Sequence, residues 1–368
     1  MAAPPVVARR SARQWARDEL FSGAGNTLLT LLMAALLAWA LPRLANWALV
    51  HAVFRPDAVA CRAIEHAGAC WGVIAEKLRA IVFGRYPYEL QWRPGVGLVL
   101  LGALVAASAW PRAWRPPLIA AWIAGLLLFV ALMRGGIAGL DAVPTSRWGG
   151  LPLTLLLAIA SLAIAFPLGI VLALGRRSRW PVVRSLCTTY IELIRGVPLI
   201  SVLFMASFML PLLLPSGLQL DVLLRVLVGI TLFTAAYLAE VVRGGLQAVP
   251  EGQFLAARAL GLGPWQVQRF IVLPQALRAT VPALVNSFIS TFKDTSLVVI
   301  VSLYELTGAL TLALGGDPTW RPFYLEGYLF IGAIYWAFCF AMSRYSGWIE
   351  RRLSRSPDAT RDAPGLRD

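Results

Sequence analysis

The sequence predicts an all-α polytopic membrane protein of about eight transmembrane helices. Three observations carry that prediction. Hydrophobic residues make up 58% of the 368 residues and charged residues only 14%, against about 45–50% and 25% in soluble domains. Mean hydropathy is +0.69, and the apolar residues gather into runs near the ~20 residues that a helix needs to cross a bilayer. Basic residues sort to alternate sides of those runs, as the positive-inside bias requires. Nothing alternates over the lengths that a membrane β-barrel would show.

In chain order, spans are expected at 26–49, 95–110, 117–133, 151–174, 188–214, 222–242, 280–302 and 324–345. The first follows a basic N-terminus and is long, so it reads as a retained span rather than a cleaved signal. Segment 50–94 is too polar to cross. With both termini in the cytoplasm, twenty basic residues fall inside, in clusters such as Arg9, Arg10, Arg13 and Arg17 or Arg176, Arg177, Arg179 and Arg184. Nine fall outside, six of them in 50–94, and the short outer loop 303–323 holds only Arg321. Two portions result: 1–148, with three spans and the periplasmic segment 50–94, and 149–350, with five. The tail 351–368 is rich in Arg, Asp, Ser and Pro and reads as disordered.

The net charge of +14 belongs to these membrane flanks and calls for no nucleic acid. Four cysteines without a CxxC give no metal site. Cys61 and Cys70 share the polar segment and can pair in an oxidising compartment, although spacing alone leaves the pairing open. No G-x-x-x-x-G-K-[ST] phosphate loop, HExxH or G-x-S-x-G is present, so no catalytic residue is expected. If ATP drives this chain, another chain hydrolyses it.

One cytoplasmic segment breaks the apolar pattern: LAARALGLGPWQVQRFIVLPQALR at 255–278. Ala256, Ala257 and Leu260 share one helical face. Gly261-Leu262-Gly263 permits a turn that a β-carbon resists, and Pro264 suits the first position of a new helix. Val267, Phe270 and Ile271 make that helix's apolar face, and Pro274 marks its end. The expectation is a helix–turn–helix on the inner membrane surface. Periodicity leaves open whether it lies on lipid or docks a soluble partner.

The residues resemble a family at this point. Permease subunits of bacterial ABC importers carry a cytoplasmic motif written Glu-Ala-Ala, three residues, Gly, nine residues, Ile, one residue, Leu-Pro. Ala256-Ala257, Gly261, Ile271 and Leu273-Pro274 match it in register, while Leu255 stands where the family usually has Glu. The resemblance implies that this segment (about 247–278, with Leu255, Ala256, Ala257, Gly261, Leu262, Gly263, Trp265, Ile271, Leu273 and Pro274) couples to an ATPase. Leu255 puts a presumed ionic contact in doubt, for which Arg258, Gln266 or Arg269 can substitute. YIELIRGVPLI at 190–200, AYLAEVVRGGLQAVPEGQ at 236–253 and NSFISTFKDTSLVVIVSLYELTG at 286–308 resemble the polar amino-acid uptake branch. The N-terminal portion, with FGRYPYELQWRP at 83–94, is similar to the longer permease of general L-amino acid transporters. The resemblance implies a five-helix type I importer core over 149–350. It implies two cytoplasmic ABC ATPases holding ATP-Mg, a second permease, a periplasmic amino-acid-binding protein and L-amino acid substrates, with no cofactor bound by this chain. It also implies the bacterial inner membrane and transport by alternating access.

Charges inside the spans are costly and mark function or pairing. Lys293 and Asp294 lie in the 280–302 span, and with Thr291, Thr295 and Ser296 they are substrate-path candidates, because an amino acid carries one charge of each sign. Adjacent helix positions do not face each other, so each charge is expected to have its own partner. Glu192 with Arg195, and Glu240 with Arg243, have same-face spacing and are expected to pair near the cytoplasmic mouth, as structural or gating charges. Gly169, Gly229 and Gly332 are expected at close helix crossings. The other reading of the whole chain is a self-contained ion-coupled secondary amino-acid transporter, against which stands the lack of two matching halves.

Overall fold

The computed structural model describes residues 11–63, 68–137, 139–213, 215 and 220–354. The described residues are almost entirely helical, with seven helices long and apolar enough to cross a membrane, or eight if one bent pair is a single span. The chain divides into two units, Met1–Glu76 and Lys77–Asp368.

In the first unit, helix α1 (Ala24–Val50) closes in a π turn at Asn46–Val50. None of its residues is buried, as suits a helix meant for hydrocarbon. Behind it, Val53 bridges to Cys70, and the short helix α2 (Ala58–Ala63) carries Cys61. A disulfide joins Cys61 to Cys70, with the Cα atoms 5.6 Å apart. The Trp71 indole donates to Ala48 O at 2.8 Å and pins this loop to the end of α1. His66 lies outside the described residues.

The second unit starts inside helix α3 (Gly72–Phe83), from which Lys77 reaches Asp317 at 2.7 Å. Helices α4 (Tyr88–Ala109) and α5 (Pro116–Arg134) form an antiparallel hairpin. Sequence grouped them with residues 1–148, but the compact division falls at 76/77. Apolar packing is the reason, because Leu101, Phe129 and Met133 share a core with Trp148 and Leu156 of the following span.

Next come α6 (Gly150–Arg176), α7 (Pro181–Arg195), α8 (Leu199–Leu213), α9 (Val222–Ala248) and α10 (Glu251–Ala259). They are followed by α11 (Pro264–Val301), α12 (Leu306–Gly315) and α13 (Tyr324–Ser354). The expected span 188–214 is instead α7 and α8, bent by 106°. Pro198 offers no N–H to the preceding turn, and Gly196 ends α7, so the helix breaks there. The loop 303–323 holds α12, a helix too short to span. Glu305 caps α12, accepting from the Thr307 and Gly308 N–H groups at 2.9 and 3.0 Å. The Tyr335 hydroxyl of α13 donates to the same carboxyl at 2.8 Å. Residues 351–354 are the last turn of α13, and the rest of the expected tail lies outside the described residues.

Backbones approach closely at two seams. A Cβ on Gly169 of α6 would sit 2.9 Å from Leu238 Cβ and 3.1 Å from Ala235 O and Ala239 N of α9. A Cβ on Gly245 of α9 would sit 2.6 Å from Ala276 O of α11. Small residues allow such contact where apolar burial cannot drive association. Gly229 faces Ala206 in a looser version, at 3.1 Å. Gly332 meets nothing among the described residues, so the close crossing expected there is absent from this chain's own packing.

Candidate functional site

The quoted segment folds as two helices around a tight turn. The first, α10, ends in a Schellman motif: Leu262 N–H bonds to Ala257 O at 3.2 Å and Gly261 N–H to Arg258 O at 2.9 Å. That pattern needs a left-handed residue at the second bond's donor, and Gly261 takes φ +75°. Gly263 sits at φ −67° and needs no glycine freedom. Pro264 opens the second helix, and Gln266 Oε1 accepts from Gly263 N–H at 2.8 Å. Gln266 therefore caps its own turn rather than standing free for a partner.

One expectation for this segment fails. Pro274 does not end the helix. The chain continues to Val301, because a π turn at Val267–Val272 shifts the ladder by one residue just ahead of the proline. Leu273 N–H then bonds to Gln268 O, and the ring meets no mandatory i−4 partner. Of Ala256, Ala257 and Leu260, only Ala257 is buried, while Leu260 is 81% exposed. Ala257, Val267 and Val272 join the core, with Leu262, Ile271 and Leu273 packed against them. The face left open carries Leu255, Leu260, Trp265 and Phe270, each at least 60% exposed.

A charge cluster brings together the ends of three helices. Arg176, the last residue of α6, reaches Glu192 of α7 at 2.8 Å and Glu240 of α9 at 3.2 Å. Arg195 lies 3.7 Å from Glu240. Arg243 Nε donates to both oxygens of Glu240 at 2.9 Å. The Glu240–Arg243 contact has the expected spacing. The expected Glu192–Arg195 pair is replaced: each reaches across to another helix. Arg176 was missed because it lay in a basic flank, and its only signal was its place at the end of a span.

Within the spans, a cleft of about 500 Å³ opens between α9 and α11, in the range of small-molecule sites. Phe233, Thr234 and Tyr237 line it from α9, and Asn286, Ser290, Thr291, Lys293 and Asp294 from α11. Three of the five substrate-path candidates therefore share one cavity. Thr295 is fully buried, its hydroxyl donating to Phe292 O at 2.7 Å, and Ser296 does not line the cleft. Neither Lys293 nor Asp294 makes an ion pair among the described residues, so the separate partners expected for them are not found there. Asn286 and Ser290 went unnoticed, although with Lys293 and Asp294 they recur at three- and four-residue spacing, which marks one helical face. No group of His, Cys, Asp and Glu among the described residues could hold a metal ion.

Comparison with known proteins places this geometry. Residues 165–355 match the family described as the binding-protein-dependent transport system inner membrane component. The chain is 46% identical to the inner membrane amino-acid ABC transporter permease protein YhdY of Escherichia coli strain K12, over 95% of this chain and 96% of that one. It is 39% identical to the glutamate/glutamine/aspartate/asparagine transport system permease protein BztC of Rhodobacter capsulatus, over 96% of each. A crystal structure of an amino acid ABC transporter with histidines superimposes with a TM-score of 0.50 at 32% identity, covering 55% of this chain and 92% of that one.

Proposed function

The chain belongs to the binding-protein-dependent transport system inner membrane components, and from that premise we propose that it is the membrane-spanning permease subunit of an ATP-driven amino-acid importer. It is a multi-pass inner-membrane protein of that family, with its type I importer fold in the C-terminal portion. The observation that carries the reading is the helix–turn–helix at 251–274, which leaves four large apolar side chains uncovered in a chain without a phosphate-binding loop. An uncovered apolar patch of this kind, rimmed by Arg258 and Arg269, suits a protein partner. The partner is a separate ABC ATPase, in two copies, which holds ATP-Mg and performs the hydrolysis; this subunit contributes no catalysis. A second permease completes the pathway, and a periplasmic amino-acid-binding protein delivers L-amino acids. Both termini lie in the cytoplasm.

Transport proceeds by alternating access. ATP-bound and ATP-free ATPase dimers hold the docking segment differently, and that differential affinity shifts the permease between its states. The α9–α11 cleft is the path, where Lys293 suits the substrate carboxylate and Asp294 the ammonium group, with Thr291 beside them. Glu192, Arg195, Glu240 and Arg243 close the inner mouth.

The test is affinity purification of the tagged chain from cells expressing its whole gene cluster, with Leu260→Asp and Trp265→Asp alongside. Both positions are exposed, so folding is spared. An ATPase that accompanies wild type and is lost from both variants is the expected result. If the chain alone moves amino acids into liposomes under an ion gradient, the reading fails.

A further inference from the structure

Helix α6 ends on two consecutive arginines that point to different networks. Arg176 holds Glu192 of α7 at 2.8 Å and Glu240 of α9 at 3.2 Å. Arg177 donates to Leu246 O at 3.1 Å, and its guanidinium lies 5.9 Å from the centre of the Phe254 ring of α10. Leu246 O is among the last four carbonyls of α9, which have no partner within the helix. Arg177 supplies that partner while touching the docking helix. Phe254 is half-buried against the same core that holds Ala257.

Helix α10 is a short rigid element, with Ala257 seated in the core. Pro250 precedes it without a side-chain cap, and Gly261 follows at φ +75°. Beside it a cleft of about 480 Å³ is lined by Arg177, Leu246, Gln247, Phe254, Leu255 and Arg258. The helix is therefore bounded by a proline and a closed glycine turn, so a load on it passes to its packing partners, and open space lies alongside. By contrast, α6 and α9 touch backbone to backbone at Gly169. A tilt of α10 meets the core at Phe254 and Arg177, and one residue away Arg176 holds α7.

We propose that Arg176 and Arg177 together form the joint that carries displacement of α10 to α7, the arm of the bent pair that bears Glu192 and Arg195. Arg177 is a positioning residue: it touches no substrate and acts through α6's last turn. The proposal rests on the reading of 251–274 as the ATPase-docking segment.

The test uses the complete transporter in liposomes, with Arg177→Ala, Arg177→Lys, Phe254→Ala and the Arg177→Ala/Phe254→Ala pair. ATPase content, ATP turnover and amino acid moved per ATP are measured together. The single alanine variants are expected to keep the ATPase bound and to lower transport per ATP, Arg177→Ala by about three- to tenfold, the factor that one net hydrogen bond carries. The pair should be no worse than either single, since contacting residues are non-additive, and Arg177→Lys should recover part of the loss. An unchanged ratio, or additive losses, overturns the joint. So does loss of the ATPase from Arg177→Ala, which would make Arg177 a docking contact. A wild-type chain that brings no ATPase would instead overturn the docking reading itself, before any variant is compared.

Discussion

Gly261 allows conformation to be separated from contact in the proposed docking segment. Its φ is +75°, and a Cβ there would meet nothing within 4 Å. A Cβ at this position therefore clashes with no neighbour, and alanine carries only the cost of left-handed backbone. For alanine that cost is about 1–2 kcal/mol, and asparagine tolerates the region better. If the turn must form for the ATPase to dock, the cost passes into affinity, where about 1.4 kcal/mol is tenfold. Gly261→Ala should weaken ATPase association by about five- to thirtyfold. Gly261→Asn should lose less than alanine, and Gly261→Val more. The assay is a titration of the labelled ATPase onto the detergent-solubilised permease pair, read by fluorescence anisotropy, with circular dichroism to confirm unchanged helix content. The order Gly, Asn, Ala, Val is the signature, because a contact mechanism has no reason to rank asparagine above alanine. Alanine within twofold of wild type, or asparagine below alanine, would refute the reasoning.

Glu240→Gln removes the carboxylate that three arginines share and, after discounting for partial exposure, should cost about 1–3 kcal/mol. A lower melting temperature and impaired transport are expected, and normal transport by both Glu240→Gln and Glu192→Gln would end the inner-gate idea. Burial pushes the Glu305 carboxyl up, against the pull of its N–H donors and Tyr335. The folded state therefore favours the protonated form, and its contribution to stability is present at low pH and lost as pH rises through the raised value. Wild-type melting temperature should accordingly fall more steeply than that of Glu305→Gln as pH rises above the ordinary carboxylate range, and parallel curves would contradict this. Cys61→Ser should loosen the loop that the disulfide closes by about 2–3 kcal/mol, seen as faster proteolysis after Cys70 than in oxidised wild type; equal rates would show that the bridge adds nothing.

Sequence showed the spans clearly because each is a long apolar run, and it showed the turn because Gly261 and Pro264 have local reasons to be where they are. It failed where a distant residue decides. Glu192 and Arg195 have pairing geometry along one helix, but Arg176 and Glu240 offer each a partner on another helix. Pro274 is an ordinary stop signal, overridden by a π turn whose extra residue has no compositional mark. The span 188–214 was legible as an apolar run, but the 106° bend at Pro198 was not, because its angle is set by what α7 and α8 pack on. Helix α12 was passed over because ten apolar residues in a loop cannot cross a bilayer. The cleft was half legible: Lys293 and Asp294 stood out by charge, whereas Asn286 and Ser290 are uncharged and showed only in their spacing.

The glycine seam between α6 and α9 has a thermodynamic consequence. Backbones that touch without intervening side chains leave no rotamers to rearrange and no apolar surface to uncover by sliding. If the cluster closes the inner mouth as proposed, opening it exchanges ion pairs for hydrated charges around Arg176 and Glu240. Such an exchange carries little of the heat-capacity change that exposed hydrocarbon would bring. It does feel the ionic atmosphere, because partly exposed charges are screened by salt. On that proposal the balance between the two states responds to ionic strength far more than to temperature.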